Sequence, residues 1–143
     1  MKMLSFVIAG MLYGAVGQAQ SISYKQVPAV VLNAFQQKFP KAKDVDWEKR
    51  NSHYDVSFEL GWKLTDHEVW IAQDGKILRH SEDIKSSDLP RPVREAIKTS
   101  YKGFRIDDAD RVTKNNEITY RVELERGNEE HSLEFRPNGT EIN

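Results

Sequence analysis

Apolar and polar residues alternate strictly in two stretches of the chain. Residues 54–59 read Tyr-Asp-Val-Ser-Phe-Glu, and residues 120–125 read Tyr-Arg-Val-Glu-Leu-Glu. Because neighbouring side chains of a strand point to opposite faces, each stretch predicts a β-strand with one buried face. The second stretch repeats the first 66 residues later, so the pattern also indicates an internal duplication.

A helical pattern precedes each of these strands. Pro28 and Pro90 stand at its start, and proline is favoured in the first turn of a helix because its missing N–H has no partner there. Each copy is therefore predicted to open with a short helix. Its apolar residues have the spacing of one helix face in both copies: Val31, Ala34, Phe35 and Phe39, then Val93, Ala96, Ile97 and Tyr101.

A third strand and a tight turn follow in each copy. The stretch HEVWIAQDGKIL, residues 67–78, aligns without a gap with HSLEFRPNGTEI, residues 131–142. Asp74-Gly75 and Asn138-Gly139 predict type I′ hairpin turns, followed by short strands over residues 76–79 and 140–142. Because so little chain follows Gly139, we expect Gly139→Val to destabilise the protein less than Gly75→Val.

The duplicated unit predicts the fold class. Repeat 1 (residues 25–80) and repeat 2 (residues 89–143) each contain one helix followed by about four antiparallel strands, with residues 81–88 as the connector. A single such unit has little core of its own. We therefore predict an α+β fold in which the two copies form one domain, residues 20–143, with an antiparallel sheet and the helices on one face.

The N-terminus has the order of residues found in a secretory signal peptide. Met-Lys-Met precedes an apolar run over residues 4–16, and Gly17-Gln18-Ala19 supplies small residues for cleavage. The run is shorter than the ~20 residues of a membrane-spanning helix. We predict that residues 1–19 are a signal peptide cleaved near Ala19, and that the protein is periplasmic or secreted in a bacterium.

Charge and composition narrow the range of partners and activities. The net charge is −1, so nucleic acid and anionic membranes are poor partners. The chain contains no cysteine, which excludes a thiolate nucleophile and a disulfide framework. It also lacks a glycine-rich phosphate loop, a dinucleotide fingerprint and a nucleophile elbow. We expect a protein that is not an enzyme, with no catalytic residue and no cofactor.

The duplicated motifs resemble those of a known family. A Val-Pro or Leu-Pro pair opening a helix, an alternating Tyr-x-Val strand and a strand ending in Asp-Gly or Asn-Gly are similar to those of PepSY-like proteins, which are described as similar to beta-lactamase inhibitors. The resemblance covers nearly all of residues 25–143. It implies an extracytoplasmic α+β protein, often built in tandem, that binds or inhibits enzymes, and it supplies no catalytic residues.

Histidines and acidic residues are the candidate metal ligands. His67 and Glu68 are neighbours on a predicted strand, so their side chains point to opposite faces and would not chelate one ion together. We interpret His67 as a partly buried strand-end residue bonded to backbone and predict no metal site. The acids Asp44, Asp46 and Asp107, Asp108, Asp110 are interpreted as solvated strand edges.

The tryptophans are distributed unequally between the copies. Trp47, Trp62 and Trp70 all lie in repeat 1. Trp47 is predicted to be in the core, whereas Trp70 lies on the opposite strand face from its apolar neighbours, and its counterpart in repeat 2 is Glu134. One interpretation is that Trp62 and Trp70 cover the seam between the copies. The other is a partner-binding patch formed by Trp62, Lys63, Asp66 and Trp70, because exposed tryptophans are common interface anchors.

Two functions fit these features. The first is an exported, non-enzymatic binding module that engages, and inhibits, another periplasmic or secreted protein. The alternative is a periplasmic binder of a small ligand or peptide in the groove between the two copies.

Overall fold

The computed structural model describes residues 19–142 of the chain. The predicted signal peptide lies outside the described residues except for Ala19. No helix within residues 19–142 is long and apolar enough to cross a membrane. Within residues 19–142 there are two α-helices, two short 3₁₀ helices (Tyr24–Gln26 and Ser86–Asp88) and nine strands. Their bounds are β1 Gln20–Ile22, α1 Ala29–Lys38, β2 Lys43–Lys49, β3 His53–Leu60, β4 Thr65–Ala72, β5 Ile77–Asp83, α2 Arg91–Ser100, β6 Arg105–Lys114, β7 Glu117–Arg126, β8 Glu129–Phe135 and β9 Glu141–Ile142.

The nine strands form one antiparallel sheet in which the order of strands follows the chain. Strands β2 to β5 belong to repeat 1 and β6 to β9 to repeat 2, so the predicted tandem α+β fold is confirmed. Strand β1 was not predicted. The two copies join through the β5–β6 ladder, which runs from the Arg79–Lys114 pair to the Asp83–Asp110 pair. Strand β5 therefore extends into the segment predicted as a connector.

Both helices pack on the same face of this sheet. Residues paired directly across a ladder share a face, and one such row runs Val56, Val69, His80, Thr113 and Ile118 through strands β3 to β7. Each copy has its own core on this face. The first contains Val31 and Phe35 of α1 with Trp47, Tyr54, Val56, Phe58, Val69 and Ile71, and the second contains Val93 and Ile97 of α2 with Ala109, Val122, Leu124 and Phe135.

The helix starts and both predicted glycine turns differ in detail from expectation. Pro28 and Pro90 are the N-cap residues rather than the first helical ones. At the β4–β5 turn, Gly75 has φ +90°, but Asp74 does not share a positive φ. A type I′ assignment is therefore wrong there. The Asp74 carboxylate accepts a hydrogen bond from the Lys76 N–H (2.9 Å), and this local bond favours a turn in which glycine alone is left-handed. At the β8–β9 turn, Gly139 has φ +88° but Asn138 does not share a positive φ, so a type I′ assignment is wrong at that turn as well.

Two histidines form a hydrogen-bonded pair at the edge of the first core. His67 Nδ1 and His80 Nε2 are 3.0 Å apart, with the His67 ring stacked on Phe58 and the His80 ring against Phe39. The partner of His67 is thus a second imidazole rather than backbone. Burial lowers the pKa of His67, and burial together with the neighbouring His67 lowers the pKa of His80.

The glycine turns give a prediction that reverses the order expected from the sequence. A Cβ on Gly139 (φ +88°) would lie 2.6 Å from the carbonyl oxygen of Pro92, whereas one on Gly75 would lie 3.0 Å from that of Val30. We expect Gly139→Ala to cost about 3 kcal/mol and Gly75→Ala about 2 kcal/mol in unfolding free energy, because positive φ and overpacking both act. Gly61→Ala, with φ +77° and open space around it, should cost only about 1 kcal/mol. Urea denaturation measures all three, and a smaller loss at Gly139 than at Gly61 would contradict the packing of this turn on α2.

The histidine pair predicts a pH-dependent stability. The pKa values of His67 and His80 lie below their ordinary 6.5 in the folded state, so the unfolded chain binds more protons just below that pH. The unfolding free energy should therefore be fully maintained above pH 6.5 and fall as the pH drops below it. Denaturant melts between pH 7.5 and about 5 measure the slope. We expect the slope to flatten in His67→Gln/His80→Gln and to persist in the control His131→Gln; an unchanged slope in the double variant would exclude this pair as its source.

Candidate functional site

The face of the sheet opposite the two helices is uncovered by any helix within residues 19–142. One row across it pairs Ser57 with Glu68, Glu68 with Ser81, Ser81 with Val112 and Val112 with Thr119. We call this surface the open face. It is mostly polar, as expected for an antiparallel sheet with a single packed side. Both cores lie on the other side, although Ser81 and Val112 of this row are buried.

One half of the open face is an acidic hollow of about 420 Å³. Among residues 19–142, Arg121 is the only lysine or arginine that lines it. The Arg121 guanidinium donates to the Asp110 carboxylate through two nitrogens, at 2.6 and 3.0 Å. The carboxylates that line the hollow are Asp44, Asp46, Glu59, Asp66, Glu68, Asp83 and Asp110.

Crowding shifts the acidity of two of these groups. Burial, followed by the neighbouring Asp44 and Asp66, raises the pKa of Glu59. Burial, followed by Asp108 and Asp110, raises the pKa of Asp83. The carboxylates therefore repel one another when ionised, and the hollow favours positive charge. Even so, no group of three or more His, Cys, Asp or Glu in the described part of the chain is arranged to hold a metal ion.

Asp110 corrects one sequence interpretation. It was expected at a solvated strand edge with Asp44 and Asp46, but it is buried, with 9% of its surface exposed. Its ion pair with Arg121 of β7 compensates for the loss of hydration.

Beside the hollow lies a groove of about 670 Å³ that crosses from repeat 1 to repeat 2. We call it the inter-repeat groove. Four cationic side chains and two carboxylates line it. The net charge of its lining is therefore positive, whereas that of the hollow is negative. Trp70 and Arg79 contribute from repeat 1, and Lys114, Glu117, Thr119, Arg121, Glu134, Arg136 and Ile142 contribute from repeat 2.

Trp70 is packed on the open face at the border of this groove. Its ring contacts the His53 ring of β3, with centroids 4.9 Å apart, and the Arg79 guanidinium of β5, also at 4.9 Å. Its Nε1–H donates to Glu68 (2.9 Å), whose carboxylate also accepts from Arg79 (3.2 Å). Trp70 is therefore half-buried, and its principal contacts lie within repeat 1.

Trp62 has the opposite character. It lies in the β3–β4 hairpin and is 89% exposed, with the Lys63 ammonium 4.9 Å from its ring centroid. Leu64 beside it is 45% exposed. Trp62 thus makes no packing contribution to the seam between the copies.

The four residues predicted as a binding patch are spread along one hairpin. Trp62 and Lys63 are in contact at its tip, and Asp66 lines the acidic hollow two residues after Leu64. Trp70 follows Asp66 by four residues on β4, roughly 13 Å farther along the strand. The structure therefore joins Asp66 to the hollow and Trp70 to the inter-repeat groove rather than forming one compact cluster.

Comparison with solved structures identifies the same fold in three Bacteroides proteins. A DUF2874 family protein of B. uniformis is 23% identical over 81% of this chain and 86% of its own, with a TM-score of 0.74. A B. eggerthii protein named as periplasmic is 17% identical over 82% and 86%, with a TM-score of 0.75. A BLIP-like protein of B. fragilis is 22% identical over 81% and 83%, with a TM-score of 0.69.

The family match reflects the duplication directly. No curated protein matches the chain. The PepSY-like family, described as beta-lactamase-inhibitor-like, matches it twice, over residues 15–79 and 65–142. These two segments together span both helices and all nine strands. The chain therefore belongs to the PepSY-like family.

Proposed function

We propose that the protein is an exported, non-enzymatic module that binds another extracytoplasmic protein through the open face and the β3–β4 hairpin tip. The observation that carries this proposal is the 89% exposure of Trp62 at one end of an uncovered sheet face. A large aromatic ring held in water gains contact area on binding at little entropic cost. Lys63 supplies a positive charge against the ring, and Asp66 supplies a negative charge in the lining of the acidic hollow.

The proposed location and effect rest on the N-terminal residues and on the similar proteins. Residues 1–19 have the order of a signal peptide cleaved near Ala19, and the B. eggerthii structure is of a protein named as periplasmic. The B. fragilis structure is of a protein named BLIP-like, and the family is described in the same terms. These names support a partner that is itself a periplasmic or secreted protein, and inhibition as the consequence of binding.

A second candidate function is binding of a small ligand or peptide in the inter-repeat groove. It is favoured by the position of that groove, which takes side chains from both copies and has a volume typical of ligand pockets. Trp62 plays no part in this alternative, so the two functions separate by mutation.

Capture of the partner tests the principal proposal. Biotinylated mature protein, residues 20–143, serves as bait at micromolar concentration in a periplasmic extract, with chemical cross-linking and mass spectrometry as the readout. We expect one protein to be recovered with the wild type and at least about tenfold less of it with Trp62→Ala, because anchor residues dominate interface energy. Tyr24→Ala is the control, since Tyr24 is another exposed aromatic residue, at 57%. Equal recovery with all three baits, or no recovery with the wild type, would exclude Trp62 as an anchor.

The tryptophans should also differ in their effect on stability. Trp70→Ala should lower the unfolding free energy by about 1–3 kcal/mol, because it removes the contacts with His53 and Arg79. Trp62→Ala should change it by less than about 0.5 kcal/mol, as exposed substitutions usually do. Trp70→Phe separates ring packing from the bond to Glu68. Denaturant melts measure the set, and a large loss in Trp62→Ala would place this residue in the packed structure instead of the interface.

A further inference from the structure

Two cations of the inter-repeat groove lack a partner. Neither Lys114 nor Arg136 forms a side-chain hydrogen bond or ion pair with any residue between 19 and 142. Arg79 and Arg121 in the same groove bind Glu68 and Asp110. Two positively charged side chains of the groove, Lys114 at the β5–β6 junction and Arg136 directly after β8, therefore form no ion pair within the described residues.

The acids of the groove do not neutralise these charges. Glu134 accepts a hydrogen bond from the Thr119 hydroxyl. Glu117 is exposed and is the ladder partner of Lys114, but it forms no ion pair with it within the distance of a salt bridge. The two unpaired cations are thus available to a ligand.

The β5–β6 ladder adds to the positive potential. Arg79 and Lys114 are directly paired across it, and like charges facing each other on adjacent strands destabilise a sheet. An anion placed between these side chains would relieve the repulsion. The packed ring of Trp70 forms the apolar floor beside them, together with Ile142 at the other end.

The exposure of the groove residues and the neighbouring acidic hollow limit the shape and charge of a ligand that the inter-repeat groove can bind. Lys114, Glu117 and Arg136 are all exposed, so the groove is an open channel on the sheet rather than an enclosed pocket. An extended chain segment fits such a channel. The adjacent acidic hollow would repel a second anionic group, so the negative charge of the ligand must end near Arg121.

We infer that the inter-repeat groove binds a carboxylate-bearing, extended segment of the protein partner, with Lys114 and Arg136 as the residues that hold the carboxylate. The inference rests on the proposed function and names the chemistry of the partner at this end of the open face. Asp or Glu side chains of a partner loop supply the carboxylate. Free dicarboxylic acids carry the same group, and the glutarate titration distinguishes them from a peptide segment.

NMR titration of ¹⁵N-labelled mature protein tests this assignment. The probe is an acetylated, amidated Gly-Glu-Gly-Glu-Gly-Glu peptide, with the Gln-for-Glu peptide and free glutarate in parallel. We expect the acidic peptide to shift amide signals of residues 114–119 and 134–136, and the Gln peptide to leave them unchanged. Lys114→Glu/Arg136→Glu should weaken binding of the acidic peptide at least tenfold.

The matched control is Arg94→Glu/Lys98→Glu, which changes the net charge equally on the exposed side of α2. Its affinity should stay within twofold of the wild type. Equal weakening in both double variants would mean non-specific charge attraction, glutarate binding as tight as the peptide would mean a site for free acids, and no binding would mean no site; each overturns the inference. Partner capture through Trp62 does not use these cations, so it can succeed while this inference fails.

Discussion

The β5–β6 ladder is the interaction on which the arrangement of both copies depends. It pairs five residues of each strand, from Arg79 with Lys114 to Asp83 with Asp110, and so joins strands β1 to β5 and strands β6 to β9 into one sheet. Because the pairing is continuous, the buried faces of the two units coincide and both helices lie on the same side. The opposite side is left without a cover over its whole width. An uncovered sheet face larger than that of either copy is thus a direct consequence of this one junction.

Each copy packs its own core, and the junction between the copies is a backbone ladder whose Val112 is buried outside both cores. The cores of repeat 1 and repeat 2 are separate clusters, each closed by its own helix. In the first copy Phe35 contacts Trp47 and Phe58 edge to face, at 5.2 and 5.0 Å between ring centroids. Aromatic pairs of this kind add stability beyond the area they bury. Because each copy has a core of its own on the helix side, the open face can carry polar and charged side chains at most of its positions.

Local periodicity is enough to predict both helices, strands β2 to β9 and the core-facing side of the alternating strands, but it does not predict β1. Trp47 was placed in the core from its alternation alone and is 5% exposed. The turn at Asp74 was misjudged, because its side chain bonds the following backbone and selects another turn, while the β6–β7 hairpin has positive φ at both Asn115 and Asn116. The sequence also underestimates the loss of stability expected on substituting Gly139. That loss depends on the contact of this turn with Pro92 of α2 rather than on the distance from the chain end.

The candidate site was less accessible to sequence reasoning than the fold. Trp62 could be singled out because it follows a glycine in a hairpin, and it is exposed. Arg79, Lys114 and Arg136 could not, because their proximity depends on the register between β5 and β6, which no local pattern fixes. A prediction of that register would have placed Arg79 opposite Lys114 and indicated a positively charged groove at this position.

The charges at the junction favour the proposal that the open face serves binding rather than stability. On the helix side, the ladder pairs Glu82 with Arg111, whose side chains are 2.6 Å apart and attract each other. On the open side, the same ladder pairs two cations at one end and two carboxylates at the other. Like charges directly opposite one another cost stability, and Glu68 and Arg121 from the flanking strands offset only part of that cost. A partner that brings an anion to the first pair and a cation to the second would relieve both repulsions at once, and it could dock in only one orientation.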